Sequence, residues 1–466
     1  MHKRHMKATF LYYLFFAGLL LFTGCMVGKP YTQPETAPAT IAYRDTAFSD
    51  TTALMTWFDL YKDTALRTMI KTTLDSNRNL LLAASRMDEA MLQTATIKAN
   101  LYPQFGYRAE AGGGSAGTEA QKVGGGIDGG SLKAYGTLNW EIDLWGKIRH
   151  ANNAAFAQYL AIAENRNALK VSLVAEVASD YFLLRDLDNR LLIAQQTLAS
   201  RKEYTKIISR RFDTGYIPEL DKLQAIQQEA EAAAIIPALN RQIAQTENAI
   251  RVLMGMGPGH VSRGATIFDQ ALTPDIPVGL PSQLLQRRPD IVAEEKTMQA
   301  QFEQIGVAQA NRFPSISLTG LLGFASPELT TFISSKGLVA NGFGSIAGPI
   351  FNFGQRKKQV AIEQKRFDQT YYHYQQAVLS AFGDVDNALT YYRTYSEEFE
   401  QRRIQKEAAA KALQLSQARY DFGYTSYLEV IIMQNNLFSA QFQESQTQQG
   451  KLNAIVLLYK SLGGGW

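Results

Sequence analysis

The 466-residue chain has a single cysteine, Cys25, so an intramolecular disulfide is impossible. It has five histidines; His2 and His5 open the chain, and His150, His260 and His373 stand isolated, with no cysteine or carboxylate at metal-ligand spacing. No glycine-rich segment lies between a strand and a helix with a terminal Lys-Ser or Lys-Thr, which excludes a phosphate loop. The glycine runs at 112–130 read instead as a surface loop. No stretch reaches 18 consecutive apolar residues, and a membrane-crossing helix needs about 20. An excess of one charge is missing too. The formal net charge is +4, but Lys3, Arg4 and Lys7 lie in the first 24 residues with no acid among them. The remainder carries 44 basic and 43 acidic side chains, which gives no electrostatic footprint for nucleic acid. Proline is absent from 147–213 and from 355–421, and glycine occurs in them only as Gly383. These absences leave enzymatic chemistry, a metal site and a cofactor without support.

What is present begins at the N-terminus, "MHKRHMKATFLYYLFFAGLLLFTGC". A basic start, an apolar run from Phe10 to Phe22 and small polar residues form the pattern of a secretory signal, expected over residues 1–24. The end of that run, Leu21 to Cys25, resembles a bacterial lipobox, in which the cysteine is acylated and becomes the new N-terminus; Phe22 departs from the more usual leucine. Residues 25–60 are expected to form a lipid-anchored tether, polar at first and carrying Pro30, Pro34 and Pro38.

Length alone suggests about three domains of roughly 150 residues, but the chain repeats itself. Residues 210–221 read "RRFDTGYIPELD" and 418–429 read "ARYDFGYTSYLE", 208 positions later. Arg211 pairs with Arg419, Asp213 with Asp421, Gly215 with Gly423 and Leu220 with Leu428. The same offset aligns "LWG" at 144–146 with "NFG" at 352–354 and "MGMG" at 254–257 with "LGGG" at 462–465. Upstream the offset becomes 211, so that "ANLYP" at 99–103 matches "ANRFP" at 310–314. The chain is one unit present twice, expected at 61–257 and 288–466 with a linker at 258–287.

Each copy reads as a helix (Asn77–Leu101; Pro289–Asn311), a strand pair, a proline-free helix (Lys147–Asp213; Gln355–Asp421), a Gly-centred turn and a last helix (Glu219–Met254; Tyr427–Leu462). Leu173, Val177, Tyr181, Leu184, Leu187 and Leu191 trace an apolar stripe along the first long helix. At 1.5 Å per residue such a helix is about 100 Å long. Only the short and last helices stacked end to end could cover its stripe. The Gly215 and Gly423 turns are then the tips of two long helical hairpins. Pro237 inside the last helix of copy one is expected to kink it; copy two has Ser445 there.

The strands are expected at about 103–114, 131–145, 314–325 and 341–353. In the second, Leu132, Ala134, Leu138, Trp140, Ile142 and Leu144 alternate with Ser131, Lys133, Tyr135, Thr137, Asn139, Glu141 and Asp143. In the first, Phe105, Tyr107 and Ala109 alternate with Gln104, Arg108 and Glu110; in the third, Ile316, Leu318 and Phe324 alternate with Ser315, Ser317 and Thr319. The fourth is glycine-rich and alternates poorly. Such alternation fits a transmembrane β-barrel, apolar toward lipid and polar toward a wet lumen, and also a half-buried sheet of a soluble protein. Four strands cannot close a barrel, whose smallest form has about eight. Two chains would supply eight and three would supply twelve.

"LPSQLLQRRPDIVAEEK" at 280–296, "NRFPSISLTG" at 311–320, "GPIFNFGQRK" at 348–357, "CMVGKPYTQP" at 25–34 and the two tip motifs together resemble the TolC-like outer-membrane efflux family, in particular its lipoprotein members serving RND-type pumps. The resemblance covers essentially everything after Cys25. It implies a mostly helical homotrimer whose chains each give four strands to a twelve-strand barrel in the outer membrane. Helical hairpins continue it as an α-barrel through the periplasm to an adaptor and an inner-membrane pump. It implies no enzyme activity and no cofactor. Arg211, Asp213, Gly215, Leu220, Arg419, Asp421 and Gly423 match positions that shape the tip and meet the adaptor. Leu428, Glu429 and Ile432 fall where the family's tunnel is narrowest; Ile432 replaces a second acidic residue, so that a cation-binding gate is not implied intact. The competing readings are an exit duct for secreted proteins and, from another class, a lipid-anchored coiled-coil surface protein.

Overall fold

The computed structural model describes residues 26–32, 56–114, 129–270, 272, 286–326 and 329–465. Cys25, the signal segment, most of the tether, the glycine-rich 115–128 and much of the linker lie outside the described residues. In chain order the elements are α1 (Trp57–Leu60), α2 (Thr64–Ser76), α3 (Arg78–Ala99), β1 (Gln104–Gly114), β2 (Gly129–Ile142), α4 (Lys147–Asp213), α5 (Glu219–Leu253), α6 (Pro289–Ala310), β3 (Ser315–Ser326), α7 (Leu329–Phe332), β4 (Leu338–Ala347), α8 (Gln355–Asp421) and α9 (Tyr427–Ser461). The two 67-residue helices begin and end where the proline-free stretches do. The chain divides into two compact units. One gathers Arg86–Ile162 and Ala293–Tyr374 with the segment around Val27; the other gathers Ala163–Val292 and Gln375–Trp466 with the residues up to Ser85.

The first unit holds the sheet, an antiparallel meander in the order β1-β2-β3-β4. Its register aligns the period-2 patterns of β1, β2 and β3 and sets Leu338, Ala340 and Ile346 of β4 on the same face. Phe105 faces Leu138, Trp140 faces Leu318, Gly136 faces Leu322, and Ile316 faces Ile346. One face is therefore apolar across the sheet, yet Phe105 is 82% exposed, Tyr107 92% and Ile346 74%. The other face carries Lys133, Thr137, Asn139, Ser317 and Ser345, with the two serine hydroxyls 2.7 Å apart. β4 corrects the sequence expectation of 341–353. It starts at Leu338, opposite Phe324, and stops at Ala347. Pro349 has no N–H to continue the ladder; Leu338, Ala340 and Ile346 share the apolar face with Gly342 and Gly344, but Val339 and Phe343 fall on the other, so the strand carries no clean alternation.

The second unit is helical. The stripe on α4 is buried as expected, with Val177, Tyr181 and Leu184 fully inaccessible and Leu173 and Leu187 nearly so. End-to-end stacking is seen in both copies. Asn77 donates from its side-chain amide to the Leu253 carbonyl at 2.8 Å, and its Oδ1 caps α3 by accepting from Asn79 N and Leu80 N. In copy two Arg288 donates to the Ser461 carbonyl, and Gly463 packs so tightly on the Arg287 carbonyl that a Cβ would lie 2.9 Å from it. The last helix of each copy thus abuts the start of the short one. α5 continues uninterrupted through Pro237.

Candidate functional site: the paired helical tips

Each long helix ends in the same capping geometry. Gly215 (φ 77°) and Gly423 (φ 76°) take the left-handed conformation after the last helical turn. Their N–H groups donate to Phe212 O and Tyr420 O, and the next N–H groups, of Tyr216 and Tyr424, reach back to Arg211 O and Arg419 O at 2.9 and 2.8 Å. This paired 5→2 and 6→1 pattern satisfies carbonyls the helix would otherwise leave bare. No heavy atom lies within 4 Å of a Cβ built on either glycine, so the requirement for glycine there is conformational, not steric.

Charge at the tips is arranged within and between the hairpins. Turn chemistry would have the aspartates cap the following helices; the structure instead leaves Pro218 and Ser426 at those N-caps without side-chain cap bonds. Asp213 and Asp421 lie in the last turns of α4 and α8 and reach sideways to cations. Lys222 Nζ lies 3.6 Å from Asp213, a contact inside the first hairpin. Arg419 Nη1 lies 3.8 Å from Glu429, inside the second, where the Thr425 hydroxyl also donates to Glu429. Arg211 Nη2 lies 3.7 Å from Asp421 and so joins the first tip to the second. The Arg211 guanidinium also stands 5.2 Å from the Tyr420 ring centre.

Beneath these charges Ile208, Ala225, Tyr420, Tyr427, Val430 and Ile431 form a buried cluster. Burial, reinforced by Tyr420 and Tyr204, pushes the Tyr427 hydroxyl up to about 12. Tyr427, Val430 and Ile431 take the core face of α9, which turns Leu428 and Ile432, one helical turn apart, outward; they are 51% and 46% exposed. Leu220 is exposed likewise, and Leu223 and Ile226 follow it along α5 as an uncovered apolar stripe. The structure therefore brings together all the charged and glycine positions singled out in the sequence. The exposed pair Leu223 and Ile226 was legible as a three-residue spacing after Leu220 but was not picked out.

Other polar groups had no sequence signal. Arg201, buried on α4, donates to the Gln228 carbonyl at 2.7 Å and to Asn435 Oδ1 at 2.6 Å, tying α4 to α5 and α9. Fully buried Ser445, the counterpart of Pro237, donates to Asp186 Oδ1 at 2.6 Å, and Arg190 lies 2.9 Å from the other Asp186 oxygen. His150 is not isolated: it is buried, with Nδ1 2.5 Å from Glu303 and Nε2 3.0 Å from the Val27 carbonyl. Among the described residues no group of histidine, cysteine and carboxylates could hold a metal ion, and no helix is long and apolar enough to cross a membrane.

Comparison with known proteins agrees with this architecture. The family model described as outer membrane efflux protein matches residues 69–256 and 280–464, one match per copy. The chain is 31% identical over 460 residues to the toluene efflux pump outer membrane protein TtgC of Pseudomonas putida, covering 95% of this chain and 93% of that one. It is 29% identical over 435 residues to the probable outer membrane lipoprotein SilC of Salmonella typhimurium, covering 92% and 90%. Among solved structures it is similar to the open-state MtrE outer membrane channel of Neisseria gonorrhoeae, with a TM-score of 0.85, 28% identity and coverage of 95% and 98%. With two matched repeats, one exposed apolar sheet face and two capped hairpin tips, the chain belongs to the outer membrane efflux protein family.

Proposed function

We propose that three copies of this outer-membrane efflux channel close a twelve-strand barrel, and that the tips of their six helical hairpins form a ring at the periplasmic end. The observation that carries this is the four-stranded sheet. Its apolar face is exposed, and β1 and β4 each leave one edge unpaired among the described residues. A lone sheet with an oily outer face and two open edges is not a stable end state, and joining β1 of one chain to β4 of the next removes both edges. Cys25 carries lipid, a reading supported by the lipobox-like segment and by the lipoprotein name of the Salmonella relative. The tip residues Arg211, Asp213, Gly215, Leu220, Arg419, Asp421 and Gly423 meet a periplasmic adaptor, and an RND-type inner-membrane pump delivers the cargo. The chain itself is a passive conduit with no catalytic step. Its cargo is small molecules, as the name of the toluene-efflux relative suggests, in preference to secreted protein.

Leu428, Glu429 and Ile432 are assigned to the constriction. Two of them project away from the hairpin core, and the Arg211–Asp421 pair beside them links neighbouring tips. Native mass spectrometry of the full chain in detergent, paired with planar-bilayer conductance, tests the reading. A trimer of lipid-modified chains with low resting conductance is expected. A stable monomer or dimer as the main species, or a trimer that never conducts, would overturn it.

A further inference from the structure

The buried His150 pair plays no part in the tips or the sheet. It lies where β2 gives way to α4, and one chain alone covers it: His150 is 3% exposed and Glu303 of α6 is 8% exposed. His150 Nδ1 lies 2.5 Å from a Glu303 oxygen and Nε2 lies 3.0 Å from the Val27 carbonyl. More than the ring seats the tether. Val27 N donates to the Trp145 carbonyl at 3.2 Å, and a Cβ on Gly146 would lie 2.8 Å from Met26 Cγ. α6 closes the other side, since a Cβ on Gly306 would collide with the imidazole. The duplication does not repeat this pair. At the offsets of 208 and 211 the counterpart of His150 is Lys358 and that of Glu303 is Leu92. The pair therefore occurs once, at the place where the tether is held.

Both atoms that face the ring are oxygens. A carbonyl and an ionised carboxylate only accept, and a neutral imidazole has one N–H, so it cannot serve both. The docked arrangement needs one more proton than a neutral histidine and an ionised glutamate hold. Either the ring is imidazolium, or Glu303 is protonated and donates to Nδ1 while Nε2–H donates to Val27. Without that proton a bare ring nitrogen faces an oxygen lone pair. The other charges near the seat are engaged elsewhere: on α4 Lys147 pairs with Glu141 and Arg149 with Asp143, and on α8, which packs on α6, Arg366 pairs with Glu363. Lys29 on the tether is exposed, and among the described residues Glu303 makes no ion pair with a lysine or arginine. We infer that His150 and Glu303 form a proton-dependent latch on the segment after Cys25, docking it when the pair holds the extra proton and releasing it when the proton is lost. Docked, Val27 is two residues from Cys25, a reach of about 7 Å; released as far as Tyr31, whose ring packs on Phe302, the reach becomes about 20 Å. On the lipid reading of Cys25, the latch sets the length of the lipid's leash. The latch itself stands apart from the trimer and the gate.

Electron paramagnetic resonance of a nitroxide on Lys29→Cys, in the full chain purified in detergent, tests it. The docked form binds one proton more than the released form, so docking weakens as pH rises, by up to about tenfold per pH unit. Between pH of about 5.5 and 8.5, the range in which histidine ordinarily changes charge, the ratio of immobile to mobile label should fall by about tenfold or more. Glu303→Gln removes the need for the extra proton: its amide donates to Nδ1 of a neutral ring, and Nε2–H still donates to Val27. That variant should hold the label immobile at both pH values. A label on Lys365→Cys, farther along α8, should not respond to pH. A wild-type label that is equally mobile at both pH values overturns the latch. So does a Glu303→Gln label that is mobile or still switches, or a Lys365→Cys label that loosens in parallel. Labelling of the unsubstituted chain would show that the Cys25 thiol is free, which sinks the lipid reading and leaves the latch result standing.

Discussion

Asp421→Ala removes the one ion pair that connects the two tips among the described residues, and its effect on the proposed gate follows from the geometry. Arg211 and Asp421 are 3.7 Å apart, with side chains 36% and 64% exposed. An exposed pair of this kind is worth about 0–1 kcal/mol, so about 0.5 kcal/mol is a fair central value. In the proposed trimer the three pairs bring the total to roughly 1.5 kcal/mol, and 1.4 kcal/mol is a factor of ten. The open-to-closed ratio should therefore rise about tenfold, read as open probability in planar bilayers. The recording should be made in about 0.1 M salt, where the screening length is near 10 Å; at 1 M it falls to about 3 Å, and variant and wild type should converge. Asp213→Ala is the control. Its partner Lys222 lies in the same hairpin, so that contact survives any movement of one hairpin against another. If Asp213→Ala opens the channel as much as Asp421→Ala, or if Asp421→Ala leaves conductance at the wild-type level, the tip-to-tip pair does not hold the gate.

Ile432→Asp places a second carboxylate one helical turn from Glu429 and should create a block by divalent cations that the wild type lacks; strong block of the wild type would show that Glu429 suffices alone. Ser445→Ala leaves the buried Asp186 carboxylate without its 2.6 Å donor and should cost about 1–3 kcal/mol in chemical denaturation; an unchanged midpoint would mean that the hydroxyl is dispensable. Burial, with Glu176 adding to it, raises Asp180 to about 6. An acid whose folded value exceeds its ordinary one near 4 binds protons more tightly in the native state, so its contribution to stability falls as pH rises from about 4 to 6. Asp180→Asn should thus stabilise the protein at pH 7 by about 1 kcal/mol, after a discount for partial exposure, and have no effect below pH 4. Thermal unfolding at the two pH values checks both halves.

The sequence determined the elements because their signals are local. Two proline-free stretches of 67 residues set the limits of α4 and α8, a glycine that can take positive φ set each tip, and strict alternation assigned the faces of β1, β2 and β3. Duplication did the rest, since a motif written twice at one offset fixes a second hairpin once the first is read. β4 was placed late by three residues at its start and six at its end because glycine carries no pattern; only pairing with β3 defined it. Tertiary structure also decided which charges meet. Arg211 and Asp421 are 210 positions apart, and nothing in either tip motif distinguishes a partner across hairpins from one within. Ser445 looked like the residue that merely replaced Pro237, and His150 looked alone, until folding placed Asp186 beside the first and Glu303 and Val27 around the second. A backbone conformation depends on the residue and its near neighbours, whereas the partner of a side chain depends on which surfaces long helices bring into register, and that is settled only when the whole chain packs.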